Sequence, residues 1–319
     1  MIQLIAIRHQ ASVTIPTVGI SQYIKEIGRG KQGARPLDRA RAADLFAQVL
    51  DGAVSDLEVG AFCLAMRIKG ETPEEMAGFL DATYERLHRV PTASGKPLVV
   101  LPSYNGARRL PVLTPLLAAL VARRGLPVVI HGAATESSRI FVRDVLHALD
   151  VQPHDAVPTV DDGQVAYLPT EVLSPGLKRL LDVRKVVGLR NSAHSLVKLM
   201  NPAAGRAVIV SSYTHPEYAV SMGQVFELVG ATALLLRGTE GEVVADARRM
   251  PQMDGYIRGR HVQLQEGRRG TVTDMPELPK AVDVETTAAY IRDVLGGHKQ
   301  IPDSLALQVE HILHLADAS

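Results

Sequence analysis

The chain has 319 residues, 35 Lys and Arg against 34 Asp and Glu, a net charge of +1, 46% apolar content and one cysteine, Cys63. That length and apolar fraction supply a real core for one large domain or two smaller ones, and they exclude disorder as the overall state. A single cysteine excludes a disulfide framework and a multi-cysteine zinc site, and no apolar run approaches the ~20 residues of a membrane-spanning helix.

Met1–Gly19 carries a short apolar stretch, Ile2–Ile7, with Arg8 and His9 after it. A secretory signal has a longer apolar region with its positive charge in front. Residues 1–20 therefore read as an N-terminal extension, and the protein as cytoplasmic. From Gln22 to about Arg89 the pattern is helical. Asp38 caps a helix to about Leu50, with Leu45, Phe46 and Val49 on one face and Gly52 as its stop. Ser55-x-x-Glu58 has the capping-box form and opens a second helix to about Ile68. Thr72, Pro73, Glu74 and Glu75 open a third, with Met76, Phe79, Leu80, Thr83 and Leu87 at helical spacing. Residues 21–95 thus form a small helical domain.

After Pro97 the pattern changes. Leu98–Leu101, Pro127–Ile130, Val208–Ser211 and Ala233–Leu236 are short, wholly apolar strands. Helices are expected over Thr114–Arg124, Ser137–Leu149 and Pro216–Val229, and two more over Glu285–Leu295 and Ser304–Ala316. Strands apolar on both faces alternating with helices are the mark of a mainly parallel sheet covered by helices. The fold class is α/β: a helical bundle followed by a larger α/β domain over 96–319. Leu173–Met200 reads as helical and is expected to join the bundle.

The net charge hides a segregation. Ser21–Arg41, Ser103–Arg124, Leu177–Arg206 and Arg248–Arg269 together hold 23 basic and five acidic residues, a net of +18, while the remainder carries −17. Such clustering suits a polyanionic partner. In an open parallel sheet the ligand site lies at the carboxyl ends of the strands. The loops Pro102–Arg109, His131–Ser138, Ser211–His215 and Arg237–Glu242 are therefore the ones that matter. The first is neither a dinucleotide fingerprint nor a Walker loop. His131, His194 and His215 have no second His or Cys at metal spacing, and no metal site is expected. Glu240 and Glu242 suit Mg²⁺ held between a phosphate and water, or plain solvated acids. Lys25, Arg29 and Lys31 alternate with Gly28 and Gly30, which suits phosphate or a flexible helix end. Lys178, Arg179, Arg184, Lys185, Arg190 and Lys198 cannot share one helical face but can line a broad surface.

From about Ser21 onward the chain resembles the anthranilate phosphoribosyltransferase superfamily, related to the class II nucleoside phosphorylases. Ile68-Lys69-Gly70-Glu71-Thr72-Pro73-Glu74-Glu75 is similar to its "KGET-EE" segment, Val187-Gly188-Leu189-Arg190-Asn191 to its "LGIRT" turn, and Met200-Asn201-Pro202 to its "GPL-NP" run. His215-Pro216-Glu217-Tyr218, followed by Leu234-Leu235-Leu236-Arg237-Gly238, resembles the strand, helix and strand that end in its "HG" loop. Three loops depart from that pattern. The glycine run "GTGGD", whose amides bind pyrophosphate, is replaced by Ser103-Tyr104-Asn105-Gly106-Ala107-Arg108-Arg109. The "KHGNR" loop becomes Ile130-His131-Gly132-Ala133-Ala134. The metal-binding "DE" pair becomes Val243-Val244. These departures resemble the YbiB-like branch, in the runs Ile24–Lys31, Pro102–Arg108, Val187–His194 and Gly238–Val243.

The resemblance implies a homodimer, paired through the helical domain, that binds single- or double-stranded DNA or RNA without sequence preference. It also implies loss of transferase activity. The expected phosphate contacts are Lys178, Arg179, Arg184, Lys185, Arg190 and Lys198, with Arg108, Arg109, Lys25, Arg29 and Lys31. Ser103, Asn105, Gly106, His131, Gly132, Asn191 and Glu240 are expected to line a vestigial pocket. Tyr104, Tyr213 and Tyr256 are the candidates for base stacking. No catalytic residue, cofactor or metal is expected, and Mg²⁺ enters only if transferase activity persists. The alternatives are a glycosyl- or phosphoribosyltransferase for an aromatic or nucleobase-like substrate, for which Arg184 falls near the family's aromatic-acid-binding arginine, and a partner-binding protein whose basic surface meets an acidic protein. Leu45, Phe46, Leu64, Met66 and Phe79 serve either the bundle core or a dimer interface.

Overall fold

The computed structural model describes residues 19–134, 138–268, 270–272 and 275–319. Residues 1–18 of the extension lie outside them, as does 137, the first residue of the expected helix Ser137–Leu149. The first layer is the helical bundle: α1 Ser21–Ile27, α2 Gly30–Gly33, α3 Arg39–Asp51, α4 Asp56–Lys69 and α5 Pro73–Tyr84. The starts of α3, α4 and α5 are those that the cap residues dictate. The Asp38 side chain accepts from the Arg41 N–H, and both Ser55/Glu58 and Thr72/Glu75 close reciprocal capping boxes. Such caps satisfy amides that no helical carbonyl can reach. The bundle core is aromatic: Phe46 stacks on Phe79 with centroids 4.5 Å apart, and Phe62 meets Phe79 edge-on at 6.0 Å.

The second part of the chain runs β1 Leu98–Ser103, α6 Thr114–Arg123, β2 Val128–Gly132, α7 Val142–Ala148, β3 Val165–Pro169, α8 Thr170–Leu173, α9 Pro175–Val187 and α10 Ala193–Leu196. It continues with β4 Ala207–Tyr213, α11 Pro216–Leu228, β5 Ala233–Arg237, β6 Met253–Ile257, β7 Arg260–Gln265, α12 Val284–Leu295 and α13 Asp303–Ala318. The seven strands form one sheet in the order β3-β2-β1-β4-β5-β6-β7. β1 to β5 are parallel, and β6 and β7 add an antiparallel hairpin at the edge.

Strand side chains alternate between two cores. Leu98, Val100, Val129, Leu168, Ile209 and Leu235 face the bundle, α9, α10 and α11. Val99, Leu101, Val128, Ile130, Val208, Val210, Leu234 and Leu236 face α6, α7, α12 and α13. Burial on both faces explains why these strands read as unbroken apolar runs. Within the stretch Leu173–Met200, α9 packs against α3 and α10 against α5. The stretch is not one helix, however. Ser174 caps α9, and Gly188, in the left-handed region, ends it.

Three expectations need correction. The helix expected from Ser137 begins only at Val142. Ile140 exchanges both backbone hydrogen bonds with Ala107, which holds that segment extended against the loop after β1. β3 is a strand that the apolar pattern does not announce. Nor does it announce the hairpin β6–β7, which lies inside the basic segment Arg248–Arg269 and whose outer strand is largely exposed. An edge strand facing water lacks the apolar run that marks a central one.

Candidate functional site

β1 and β4 are neighbours, and the chain leaves β1 toward β2 but leaves β4 toward β5, in opposite directions, so a crevice opens where their loops diverge. The loops after β1, β4 and β5 meet there. The loop after β5 returns two carboxylates into the loop after β1. Glu242 is buried. Its Oε1 accepts from the backbone N–H groups of Asn105 at 2.9 Å and Gly106 at 2.8 Å. Its Oε2 accepts from Ser103 Oγ at 2.6 Å and Thr114 Oγ1 at 3.2 Å. Glu240 Oε2 accepts from the N–H groups of Arg108, Arg109 and Leu110 at 3.0, 3.0 and 3.2 Å. Converging amides form a nest for an anion. Here the anions are the protein's own side chains.

The backbone between them is tightly fitted. Gly241 has φ +89°, and a Cβ at that position would lie 1.9 Å from Asn105 Nδ2. The Gly241 carbonyl accepts from Ser212 Oγ at 2.8 Å and Lys198 Nζ at 2.9 Å. Glu240 itself has φ +52°, an uncommon conformation for a side-chain-bearing residue, offset here by its three amide donors. Burial pushes the Glu240 carboxyl up, but those donors outweigh it and hold the group below the usual carboxylate range. Both carboxylates face N–H and O–H donors, which is the wrong polarity for a divalent cation between them. Among the described residues, no three His, Cys, Asp or Glu side chains gather as a ligand set.

Beside the nest lies a cleft of about 380 Å³ between the bundle and the sheet. One wall is the end of α4 and start of α5, with Arg67, Glu71, Thr72 and Met76. The other is the segment Arg190–Leu199 with Ser212–His215 and Tyr218. Burial pushes the Lys198 ammonium down to about 8; Glu242 counters this and Arg190 adds to it. His194 is pushed down to about 4 by burial and by Arg190 and Arg184, so it is neutral at physiological pH. Glu71 accepts from Ser192 Oγ at 2.5 Å.

The expected phosphate contacts are scattered. Arg190 and Lys198 line the cleft. Lys178 and Lys185 both pair with Asp182, at 2.5 and 3.0 Å. Arg179 donates to the Leu50 carbonyl at the end of α3, and Arg184 is partly buried on α9. Arg108 and Arg109 are exposed at the rim of the nest, and Lys25 and Arg29 at the end of α1; the Lys31 side chain lies outside the described ones. The four basic segments do not converge as wholes. Arg123 bonds the Leu295 carbonyl, Arg124 pairs with Glu310, and Arg206 reaches Gly95 and Ser319, all at the opposite end of the sheet.

Of the expected pocket residues, Ser103, Asn105, Gly106 and Glu240 build the nest. Gly132 packs its backbone against Ser103, leaving no room for a Cβ. Asn191 lies on the cleft wall but spends its side chain on the Leu180 carbonyl and the Ala193 N–H. His131 is fully buried and bonded to the Tyr104 hydroxyl at 2.8 Å, and burial pushes it down to about 3. Tyr104 and Tyr256 are buried and present no face for stacking, whereas Tyr213 lines the cleft. Sequence reasoning misses three residues, the first being Arg67, a cation at the end of α4 that falls outside the basic segments. Glu242 reads there as merely near the metal position, and nothing local marks an acid that turns back into a neighbouring loop. Tyr218 reads only as part of a run, yet its exposed ring stands at the cleft beside His215.

Residues 21–86 match the helical bundle domain of a glycosyl transferase family. The protein YbiB of Escherichia coli K12 is 41% identical over 294 residues, covering 90% of this chain and 91% of that protein. An anthranilate phosphoribosyltransferase of Methanopyrus kandleri is 28% identical, covering 82% and 80%. The crystal structure of anthranilate phosphoribosyltransferase from Thermus thermophilus superposes with a TM-score of 0.73 at 24% identity, over 93% of this chain and 89% of that one. Bundle, fold and sequence kinship agree: the chain belongs to the anthranilate phosphoribosyltransferase superfamily, in its YbiB-like branch.

Proposed function

We propose that this protein binds nucleic acid through its phosphates, without sequence preference, in the cleft beside the β1 loop, as a cytoplasmic homodimer. One juxtaposition carries the reading. The amides that the resemblance assigns to pyrophosphate already hold Glu242 and Glu240, while Arg67, Arg190 and Lys198 line an open cleft next to them. A phosphate diester in that cleft meets cations; a pyrophosphate in the nest meets two carboxylates. Arg108 and Arg109, whose amides hold Glu240, have exposed side chains beside the nest.

The test is a titration with single- and double-stranded DNA and RNA at several salt concentrations. Log K should fall linearly with log salt. A flat dependence, or no binding at low salt, ends the reading. Competition with an acidic protein separates polyanion binding from a dedicated protein partner.

A second reading is supported by kinship: relatives over most of the chain are anthranilate phosphoribosyltransferases. On that reading the cleft holds an aromatic or nucleobase-like acceptor, with Arg184 behind its wall. It requires the nest to release its carboxylates to phosphoribosyl pyrophosphate and Mg²⁺. Isothermal titration with that pair decides: saturable micromolar binding favours the transferase, and its absence favours nucleic-acid binding.

Pairing through the bundle is supported by its surface. Of Leu45, Phe46, Leu64, Met66 and Phe79, only Leu64 is exposed. Leu57 and Ile68 are exposed on the same face of α4, an apolar stripe at helical spacing.

A further inference from the structure

We propose that the cleft accepts single-stranded nucleic acid, with one unpaired base laid against the Tyr218 ring. This rests on the phosphate-binding reading above and names the strand form and the second contact that go with it.

Tyr218 is 46% exposed although it is an aromatic residue on α11, whose side chains Met222, Val225 and Phe226 are buried. Its ring pairs with that of His215, centroids 6.3 Å apart and tilted by 54°. Both residues line the same cleft as Lys198, Arg190 and Ser195. A flat π-surface and a set of cations thus border one cavity, which is the combination that single-strand binding uses: cations follow the backbone and the aromatic face takes any base. Tyr213 lines the same cavity and adds a second ring.

The shape selects the strand form. The cavity is bounded on one side by Arg67, Glu71 and Thr72 and on the other by Arg190–Leu199, and its volume takes one unpaired nucleotide, whereas a duplex meets the cleft only with its outer phosphates. Bases in a duplex are already stacked on one another and offer only their edges. An unpaired base in DNA or RNA offers its face. Recognition is therefore by stacking and charge, without a hydrogen-bond code.

The experiment compares, at one low salt concentration, a short single-stranded DNA, the matching RNA, the duplex, and an abasic oligomer with the same phosphates. The base-bearing single strands are expected to bind about tenfold more tightly than the abasic one. Tyr218→Ala should remove most of that difference, and Tyr218→Phe should preserve it. Because Tyr218 is exposed, both variants keep the fold. Equal affinity for base-bearing and abasic strands, or an undiminished difference in Tyr218→Ala, overturns the inference while leaving phosphate binding intact. Absence of binding to every oligomer, by contrast, overturns the phosphate-binding reading itself. DNA and RNA share this chemistry, and the two single-stranded arms rank them.

Discussion

Glu242 and Asn105 are 137 positions apart in sequence, yet the carboxylate of one accepts the backbone N–H of the other at 2.9 Å in a buried site. The bond joins the loops after β5 and β1, and it gives the nest its anion from within. Charge-assisted hydrogen bonds of this kind are roughly twice as strong as neutral ones, and the buried donors are costly to leave bare.

Glu242→Ala strips four donors of their partner: the N–H groups of Asn105 and Gly106 and the hydroxyls of Ser103 and Thr114. At about 1–3 kcal/mol for each buried unsatisfied group, the loss of stability is at least about 4 kcal/mol. Added pyrophosphate should raise the melting temperature of the variant and leave that of the parent unchanged. Equal stabilisation of both proteins in thermal unfolding would show that Glu242 does not close the nest. Glu240→Ala, at a less buried position, keeps the argument testable should Glu242→Ala fail to fold.

Gly241→Ala places a methyl group 1.9 Å from Asn105 Nδ2 in a left-handed conformation. A cost of about 2 kcal/mol or more follows from strain and clash together. Urea unfolding measures it. A change below about 0.5 kcal/mol would mean that the two loops separate easily.

Lys198 ties the cleft to pH. Its ammonium is pushed down to about 8 from 10.5, so in the free protein its charge is lost as pH rises through 8. Phosphate binding favours the charged form, and affinity should fall from about pH 7 to about pH 9. Lys198→Arg, always charged, should flatten that profile. Between pH 8 and 10.5 the unfolded chain holds the proton more tightly than the folded one, so Lys198 makes stability rise with pH in that window. The double variant Arg190→Ala, Lys198→Ala should lower the salt slope by about 2. An unchanged slope in a binding titration would remove both residues from the phosphate path.

Leu64→Asp puts a charge into the apolar stripe of Leu57, Leu64 and Ile68 on α4. Sedimentation should show a dimer for the parent and a monomer for the variant, with unaltered circular dichroism. A parent that sediments as a monomer at all concentrations removes the pairing through this face.

The helical starts in the bundle are legible because their causes are local. Asp38, Ser55 and Thr72 cap within four residues of their own position, and the central strands announce themselves by apolar runs buried on both sides. The late start of α7 is not legible, because Ile140 is held by Ala107, a partner 33 positions away. Charge behaves in the same way. Counting along the chain finds the basic segments, but only folding separates Arg190 and Lys198, at the cleft, from Arg123, Arg124 and Arg206 at the far end of the sheet.

The sequence by itself therefore determined the family, the two-part architecture and the residue types of the loop after β1, since each depends on residue type and short spacing. Tertiary structure alone decided what fills that loop and which cations and rings share its cleft. Those outcomes depend on distances between segments far apart in the chain, and a carboxylate's worth as a ligand, a plug or a solvated surface charge is set by the donors that folding brings to it.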